Sequence, residues 1–438
     1  MREESAPWPE WREFVEDKST LQEYEGDPEF LAIKKQIDEE YGEEKLRRSW
    51  LKTCAELEEL TEEIKEKGSQ IIPIIDMADV RRGCVAIKDV AEIRRVGCFV
   101  VRNVIEQCEM DRLYRDLKNY LSINKGRYTA WPQDSPSIFN LYNTPTQNAL
   151  RIHPNQLQLM RWINGLWNYP NDDEEASPQP LLYADAVRVR PAKQTFLGLG
   201  PHIDAGSLCR WGDPAYRKVY HEIFAGNSEN HDIFDMGKRK DANQALYLGG
   251  AHSTVMRAFQ GWTAISKTAP REGTILLYPN VKAAISYVML RPFFKPPSDK
   301  SKISDASQWT YDPSSSWFPG TFKPQSQLLS PTSHPHLRLK ECLIHVPPIE
   351  PGDTVWWHTD MCHAVDAEHV GNMDASVAYI AATPNTPINK AYMQHQYDRM
   401  VVGHPPQDFV SNGVDESGFE EFQGFEGNPD IFKSLMGY

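Results

Sequence analysis

Between residues 176 and 385 the chain consists of short apolar runs separated by Gly, Pro and Asn. This pattern constrains the fold more than any other feature of the sequence. The runs include "AVRVRP", "GTILLYPN", "CLIHVPP", "DTVWWHTD" and "ASVAYIAATP". Short runs that are rich in β-branched and aromatic residues and bounded by turn residues are typical of strands rather than helices. Several such strands in succession predict a β-sandwich or a β-barrel.

Helical patterns flank this region on both sides. Apolar residues recur every three or four positions from Leu46 to Ile64, and Gly68 stands just past the pattern, so we predict an amphipathic helix that ends at this glycine. A second helix is predicted to begin at Pro154, because proline is favoured in the first turn of a helix. The chain from residue 386 onward is predicted to form helix and coil.

Together the two patterns predict an α+β protein with a mainly β core. We expect a mainly helical amino-terminal region packed on that core, and a helical carboxy-terminal tail. Two segments read as insertions or loops on the core: one looks helical at its start, with Asp213 as the cap and Pro214 at the first position, and the other is rich in Ser, Pro and Lys with little periodicity. The expected boundaries are 1–175 for the amino-terminal region, 176–385 for the core, 213–250 and 293–336 for the insertions, and 386–438 for the tail.

Charge and cysteine content bear on partners and compartment. The 438 residues carry 47 Lys and Arg against 61 Asp and Glu, a formal charge of -14, which argues against nucleic acid or an anionic membrane as a partner. No run approaches the about 18 to 20 apolar residues that a membrane span needs. The seven cysteines are scattered without a CxxC pair, so we expect a reducing, cytoplasmic location. The acidic charge and the absence of a recognisable binding module favour a small-molecule substrate over a polymer.

Two segments carry the residue types of a metal site. The first, "GLGPHIDAGS", holds His202 and Asp204, and the second, "IEPGDTVWWHTDMCHAVD", holds His358 and His363. An H-x-D pair alone is weak evidence, because a histidine near a carboxylate is usually a structural hydrogen bond. Two ligands from one strand end and a third from a neighbouring strand, however, can build a facial triad of two His and one carboxylate.

The same segments also carry a family resemblance. "GLGPHIDAGSLCRW", "GWTAISKTAPREGTILLYP", "LRPFF" and "PGDTVWWHTDMCHAV" resemble the YbiU-like proteins, within the Fe(II)- and 2-oxoglutarate-dependent dioxygenase superfamily and near its phytanoyl-CoA dioxygenase branch. The resemblance spans roughly residues 40 to 410. It implies a double-stranded β-helix, also called a jelly roll or cupin-like fold. It also implies Fe(II), 2-oxoglutarate as co-substrate, and O₂.

The family pattern implies which residues bind the metal. His202 and Asp204 match the proximal ligands, and His363 matches the distal one. His358 and Asp360 form a rival H-x-D pair, but the family places its distal histidine just after an inner strand and before a small residue, as in "CHAV". We therefore predict His363 as the ligand and expect His358 beside the site, where it would orient a ligand.

The chain departs from the superfamily at the co-substrate anchor. Many members place an Arg shortly after the distal histidine and a Ser two positions later, whereas this chain has Asp374 at the Arg position and retains Ser376. A dicarboxylate needs a cation, preferably a guanidinium. Besides Ser376, the candidate co-substrate residues are two arginines of the first core strand and two more distant ones: Arg188, Arg190, Arg210 and Arg291.

Further residues are predicted around the pocket or away from it. Expected pocket-lining residues, in addition to His358, are Tyr142, Trp262 and Thr274. Four other histidines have no ligand spacing tied to the triad, so we interpret them as surface or structural: His153, His252, His334 and His336.

The resemblance implies an oxygenase that oxidises an unactivated C–H bond of a small polar metabolite, such as an amino acid, by hydroxylation, desaturation or ring closure. Two alternatives remain open. The missing Arg favours a non-catalytic jelly-roll protein that binds a small acid or a metal. The same three ligands would also suit a cupin-like isomerase or hydrolase that uses another divalent metal without 2-oxoglutarate.

Overall fold

The computed structural model describes residues 27–171, 175–194, 199–247, 254–323 and 325–438. In this part of the chain no helix is long and apolar enough to cross a membrane. The α-helices are α1 (Pro28–Lys67), α2 (Met77–Arg82), α3 (Ile87–Val96), α4 (Gln107–Ile123), α5 (Pro145–Arg151), α6 (Pro154–Asn164), α7 (Cys209–Gly212), α8 (Pro214–Val219), α9 (His221–Phe224), α10 (Met236–Arg239), α11 (Val281–Leu290), α12 (Leu339–Cys342), α13 (Pro387–Met400) and α14 (Pro429–Leu435).

The strands contribute to three sheets. Each of the five apolar runs that predicted a strand contains one, so those predictions are confirmed. The strands are β1 (Ile74–Asp76), β2 (Cys98–Arg102), β3 (Ala130–Trp131), β4 (Ile138–Phe139), β5 (Ser177–Leu181), β6 (Val187–Arg190), β7 (Leu199–Ile203), β8 (Phe259–Ala264), β9 (Ile275–Leu277), β10 (Phe294–Lys295), β11 (Thr310–Tyr311), β12 (Gln327–Leu328), β13 (Ile344–His345), β14 (Thr354–His358), β15 (His363–Val365) and β16 (Ala375–Asn385).

The large sheet has nine strands in the order β1-β2-β14-β8-β16-β6-β4-β3, with β5 paired to β16. The small sheet has five strands in the order β12-β7-β15-β9-β13, and β10 pairs with β11 alone. Along the chain, β6, β8, β14 and β16 enter the large sheet, while β7, β9, β13 and β15 enter the small one. The α+β class is thus confirmed, and among the described residues the two ladders do not close into one barrel.

One face of the large sheet looks toward the small sheet. Trp357 on β14 opposes Gln260 on β8, and Trp262 opposes Tyr379 on β16, so these four side chains share a face. The ring of Trp357 lies 5.2 Å from the ring of His363 on β15. This inner face is therefore the one that the small sheet covers.

The amino-terminal helix fastens distant parts of the chain. α1 is broken at Gly42 (φ 77°, ψ 163°) and ends at Gly68, whose backbone N–H donates to the Ile64 carbonyl, which confirms the predicted end. Trp50 is fully buried, and its ring stacks 4.5 Å from that of Phe294. The predicted start of the second helix at Pro154 is confirmed as well.

The two segments expected to be insertions have different structures. Residues 213–250 contain the short helices α8 to α10, and Asp213 caps α8 by accepting a hydrogen bond from the Tyr216 amide at 2.7 Å. Residues 293–336 contain the β10–β11 pair and β12, whose Leu328 opposes His202 on β7. The second segment therefore supplies the edge strand of the small sheet.

Trp50→Ala should lower the free energy of unfolding by about 3 to 5 kcal/mol, because the substitution leaves a cavity where α1 stacks on Phe294. Leu51→Ala is the matched control, since Leu51 follows on the same helix and is 40% exposed. Denaturant unfolding followed by circular dichroism measures both. Equal midpoints for the two variants would contradict the packing described.

Candidate metal centre

Two antiparallel strands of the small sheet bring two histidines together. His202 on β7 directly opposes His363 on β15, and their ring centroids are 4.2 Å apart. Asp204 follows β7 immediately, where the chain leaves the sheet. The residues that the sequence singled out at two distant positions thus meet at one end of the β7–β15 ladder.

The ligand atoms of the three side chains converge. One ligand atom from each of His202, Asp204 and His363 lies within 4.8 Å of the other two. The Nε2 atom of His202 is 3.6 Å from Asp204 Oδ1, and that of His363 is 3.5 Å from Asp204 Oδ2. A metal ion placed between these atoms would contact all three side chains from one side, as a facial triad requires.

Backbone carbonyls fix which nitrogen of each imidazole faces the cluster. Nδ1 of His202 lies 2.7 Å from the Gly200 carbonyl, and Nδ1 of His363 lies 3.0 Å from the Met361 carbonyl. Since a carbonyl can only accept, each Nδ1 carries the proton. Each Nε2 therefore presents a lone pair toward Asp204, which is the arrangement that metal-bound histidines adopt.

The charge states suit a cation as well. Burial lowers the pKa of His202 to about 4, and the neighbouring His363 lowers it in the same direction, so the His202 imidazole is neutral at pH 7. Burial raises the pKa of Asp204, but the two histidines and Arg257 outweigh burial and hold this pKa below its usual range. His202 and Asp204 are thus in the protonation states that metal binding needs.

The turn that carries Asp204 is fixed by hydrogen bonds to its backbone carbonyls. Ala205 (φ 61°) and Gly206 (φ 98°) are in the left-handed region, and a Cβ on residue 206 would lie 2.1 Å from Cys209 Sγ. The guanidinium of Arg210 donates to the carbonyls of Asp204 and Gly206, and the Tyr216 hydroxyl donates to that of Ala205. Arg210 therefore fixes the turn and is not placed to bind a co-substrate.

The rival H-x-D pair belongs to a buried ion cluster. Asp360 is paired with Arg239, accepts from the Tyr220 hydroxyl at 3.1 Å, and lies 3.7 Å from Arg210 Nε. These charged side chains are fully buried, and two arginines share the one carboxylate. Asp360 is thus the counter-ion of the residues that hold the Asp204 turn.

His358 lies on the opposite face of β14 from Trp357. Its Nδ1 accepts from the Asp360 amide at 3.1 Å, and its Nε2 lies 3.1 Å from the Ile233 carbonyl. The ring stacks on Trp167 at an interplanar angle of 14°. The structure therefore does not bring His358 to the pocket where we expected it, because one residue along a strand changes the face.

The predicted co-substrate residues are dispersed. Arg190 donates to the carbonyls of Asp366 and Ala367 and to Gln194. Arg291 donates to the carbonyls of Ser333 and Phe294 and lies between the rings of Trp309 and Trp317, in a different part of the core. Asp374 binds Lys118 and Tyr114, while Ser376 lies on the face of β16 opposite Tyr379.

Arg188 and Arg190 share the inner face by alternation along β6, but the carbonyls of Asp366 and Ala367 hold Arg190, so Arg188 is the remaining candidate anchor. It opposes Val377 on β16, donates to the carbonyl of Gly273, and lies beside Tyr379. Burial raises the pKa of Tyr379, while Arg188 acts in the opposite direction. Sequence reasoning missed Tyr379, although alternation along "ASVAYI" signals that it and Ser376 lie on opposite faces.

Of the other residues predicted to line the pocket, the structure places some at the inner face and some elsewhere. Trp262 is on the inner face, and the amide of Thr274 donates to Asp366 at 3.0 Å while its hydroxyl is buried without a partner among the described residues. Tyr142 instead stacks on Phe409 of the tail. Of the remaining histidines, His252 is outside the described residues, whereas three have structural contacts: His153 with Glu109, and His334 and His336 with Tyr287.

Comparison with known proteins identifies the family. The sequence profile of the Gig2-like family matches residues 25–433. The chain belongs to the Gig2-like family. The YbiU protein of Escherichia coli is 29% identical to this Gig2-like chain over 360 residues, covering 79% of the chain and 80% of YbiU. The predicted YbiU-like resemblance is therefore confirmed, while the link to the Fe(II)- and 2-oxoglutarate-dependent dioxygenases and to their phytanoyl-CoA dioxygenase branch stays a prediction.

Solved structures of relatives share the architecture of this Gig2-like chain. The GlcNAc Inducible Gene 2 protein of Candida albicans is 28% identical, with a TM-score of 0.83 over 94% of this chain and 90% of that one. A hypothetical protein of Escherichia coli is 25% identical, with a TM-score of 0.80 over 93% of this chain and 95% of that one. The whole chain, rather than one domain, is thus similar to these relatives.

Asp204→Ala and His363→Ala should each abolish stoichiometric Fe(II) binding, because two remaining ligands hold a divalent ion poorly. His358→Ala should keep the iron, since its ring nitrogens bond to backbone groups away from the triad. Anaerobic equilibrium dialysis with metal analysis measures all three variants. Loss of iron in His358→Ala with retention in His363→Ala would reverse our ligand assignment.

Asp360→Asn should destabilise the fold by about 3 to 5 kcal/mol and weaken Fe(II) binding about 10- to 100-fold, because it leaves two buried arginines without a counter-ion and releases the Asp204 turn. Asp111→Asn, at an exposed position on α4, is the control. Thermal unfolding and metal titration measure the two effects. A variant that is less stable but binds iron normally would show that the cluster does not position Asp204.

Proposed function

We propose that this protein is a non-haem Fe(II)- and 2-oxoglutarate-dependent oxygenase that oxidises a C–H bond of a small polar metabolite. The observation that carries the proposal is the convergence of His202, Asp204 and His363 at one end of the β7–β15 ladder. Two neutral imidazoles and one carboxylate on one side of an ion are the ligand set of non-haem iron oxygenases, and they leave coordination positions open.

The arrangement of the strands supports the proposal. The chain alternates between the two sheets, with β6, β8, β14 and β16 in one and β7, β9, β13 and β15 in the other. We interpret these eight strands as a double-stranded β-helix. In such a fold the inner faces of the two sheets surround a central pocket, and the triad stands at its rim.

The donor set fits a ferrous ion, which His202, Asp204 and His363 would hold. With 2-oxoglutarate and O₂, bound iron would supply an oxidant for an unactivated C–H bond. In a hydroxylation, 2-oxoglutarate loses CO₂, one oxygen atom of O₂ enters succinate, and the other enters the new C–OH bond. Desaturation and ring closure are the alternatives, and the position of the substrate decides between them.

We assign the anchor of the 2-oxoglutarate side-chain carboxylate to Arg188. Its guanidinium is on the inner face and almost fully buried, and Gly273 is its one backbone acceptor among the described residues. Tyr379 lies beside it, and the Thr274 hydroxyl next to Gly273 is a further donor. Asp366 binds the Thr274 amide and, at 2.7 Å, His345, so this end of the pocket is rigid.

Anaerobic addition of Fe(II) and then 2-oxoglutarate should give a visible metal-to-ligand charge-transfer band, and aerobic incubation should release succinate. Asp204→Ala should show neither, because the iron is lost. Iron binding without the band would reject 2-oxoglutarate as co-substrate and favour a metal-dependent isomerase, a hydrolase or a binding protein.

Arg188→Gln should weaken 2-oxoglutarate binding about 10- to 100-fold without affecting iron content, because it removes a charge-assisted hydrogen bond. Arg112→Gln, an exposed arginine on α4, is the matched control. Titration of the charge-transfer band gives both affinities. An unchanged affinity in Arg188→Gln would move the anchor to another cation.

A further inference from the structure

Arg257 is a cation that neither the triad nor the proposed co-substrate anchor uses. It lies two residues before β8 and is partly buried. Its Nε atom is buried, and no hydrogen bond or ion pair joins its guanidinium to another described residue. A buried N–H donor without a partner is costly, so in a native protein it calls for an explanation such as a functional role or a bound water or ion.

The surroundings of Arg257 place it beside the metal ligands. Its charge interacts with those of Asp204 and Asp185, and its Cζ atom lies 5.8 Å from the ring centroid of Tyr183. Asp408 is also near, but its carboxylate accepts from the amide and hydroxyl of Thr254 at 3.3 Å each. An anion bound by Arg257 would therefore lie next to Asp204.

Asp185 supplies the opposite charge. Its carboxylate accepts one hydrogen bond, from the Ala186 amide at 2.7 Å, and the side chain is partly exposed. Burial raises the pKa of Asp185, and Arg257 lowers it. The backbone carbonyl of Asp185 accepts hydrogen bonds from the side chains of Gln147 and Arg151, which fix the backbone at this residue.

Arg188 and Arg257 are level with opposite ends of β8. Arg188 opposes Val377 on β16, and Val377 in turn opposes Ala264, the last residue of β8. Arg257 lies at the other end of that strand, two residues before its first residue, Phe259. The ring of Trp357, which contacts His363, is level with Gln260, close to the Arg257 end. Two anions can thus be held at once, one at each end of β8.

We propose that Arg257 and Asp185 form the substrate-recognition site of the metal centre, and that the substrate is a small zwitterion whose carboxylate binds Arg257 and whose protonated amine binds Asp185. This inference rests on the proposed oxygenase function for the chemistry that follows binding. A planar guanidinium matches a carboxylate in a bidentate geometry, and a carboxylate is the natural acceptor for an ammonium group. Free α-amino acids are the simplest compounds that meet both requirements.

The experiment uses the full chain loaded with Fe(II) and 2-oxoglutarate under anaerobic conditions. The probes are the twenty L-α-amino acids, followed by the α-amide and the N-acetyl derivative of the amino acid that perturbs the charge-transfer band most. Both derivatives should bind the wild type about 10- to 100-fold more weakly, because each lacks one charge. Arg257→Gln should bind the acid as weakly as the amide, and Asp185→Asn should bind the amine as weakly as the N-acetyl compound.

Controls separate this inference from the proposed function. Arg257→Lys should bind the amino acid more tightly than Arg257→Gln does, because it keeps the positive charge. Arg112→Gln should bind it as the wild type does. Melting temperatures show whether the variants fold. Calorimetric titration of the Zn(II)-loaded protein with the same probes, without 2-oxoglutarate, tests recognition independently of oxygen chemistry. Binding of no amino acid, or equal discrimination in the wild type and Arg257→Gln, would overturn the recognition site even if succinate is released. Failure of the charge-transfer band with intact discrimination would overturn only the oxygenase.

Discussion

The antiparallel pairing of β7 with β15 is the constraint on which the rest of the site depends. Because the two strands are hydrogen-bonded neighbours, His202 and His363 stand opposite each other although they are far apart in the sequence. Side chains at opposed positions of a ladder are about 4.5 to 5.5 Å apart at Cβ, which is the spacing two imidazoles need to share an ion. Asp204, the Arg210 clamp and the inner face of the large sheet are all arranged around this pair.

The chain uses the pattern H-x-D twice, for two different purposes. His202 and Asp204 converge with a third ligand, whereas His358 and Asp360 point into a closed core where Arg239 and Arg210 neutralise the carboxylate. Burying such an ion cluster costs desolvation, and replacing it with apolar residues is often neutral or stabilising in other proteins. Its value here is positional, since Arg210 contacts both Asp360 and the backbone of the Asp204 turn, and Tyr216 joins Arg239 to the same turn.

Local pattern was enough to predict five core strands and the helix that ends at Gly68, and together with the family resemblance it singled out the three residues that meet at the small sheet. It was insufficient wherever the answer depended on register. Ser376 and His358 were expected at the pocket, yet each is one residue away from a side chain that faces it, and only the strand pairing decides between neighbours. β12 is two residues long, too short for alternation to signal it, and Arg257 lies outside every motif because its position follows from the fold around it.

The short strand β12 has a consequence for solubility as well as for chemistry. Without it, β7 would be an edge strand with unpaired backbone groups, a surface on which other chains can pair and aggregate. The segment that carries β12 also brings the hydroxyl of Ser326 to within 3.2 Å of Asp204 Oδ1. A stretch with almost no hydrophobic pattern of its own therefore shields the strand that bears the metal ligands. Variation in this stretch could then alter both the aggregation of the protein and the hydrogen bonding of its carboxylate ligand.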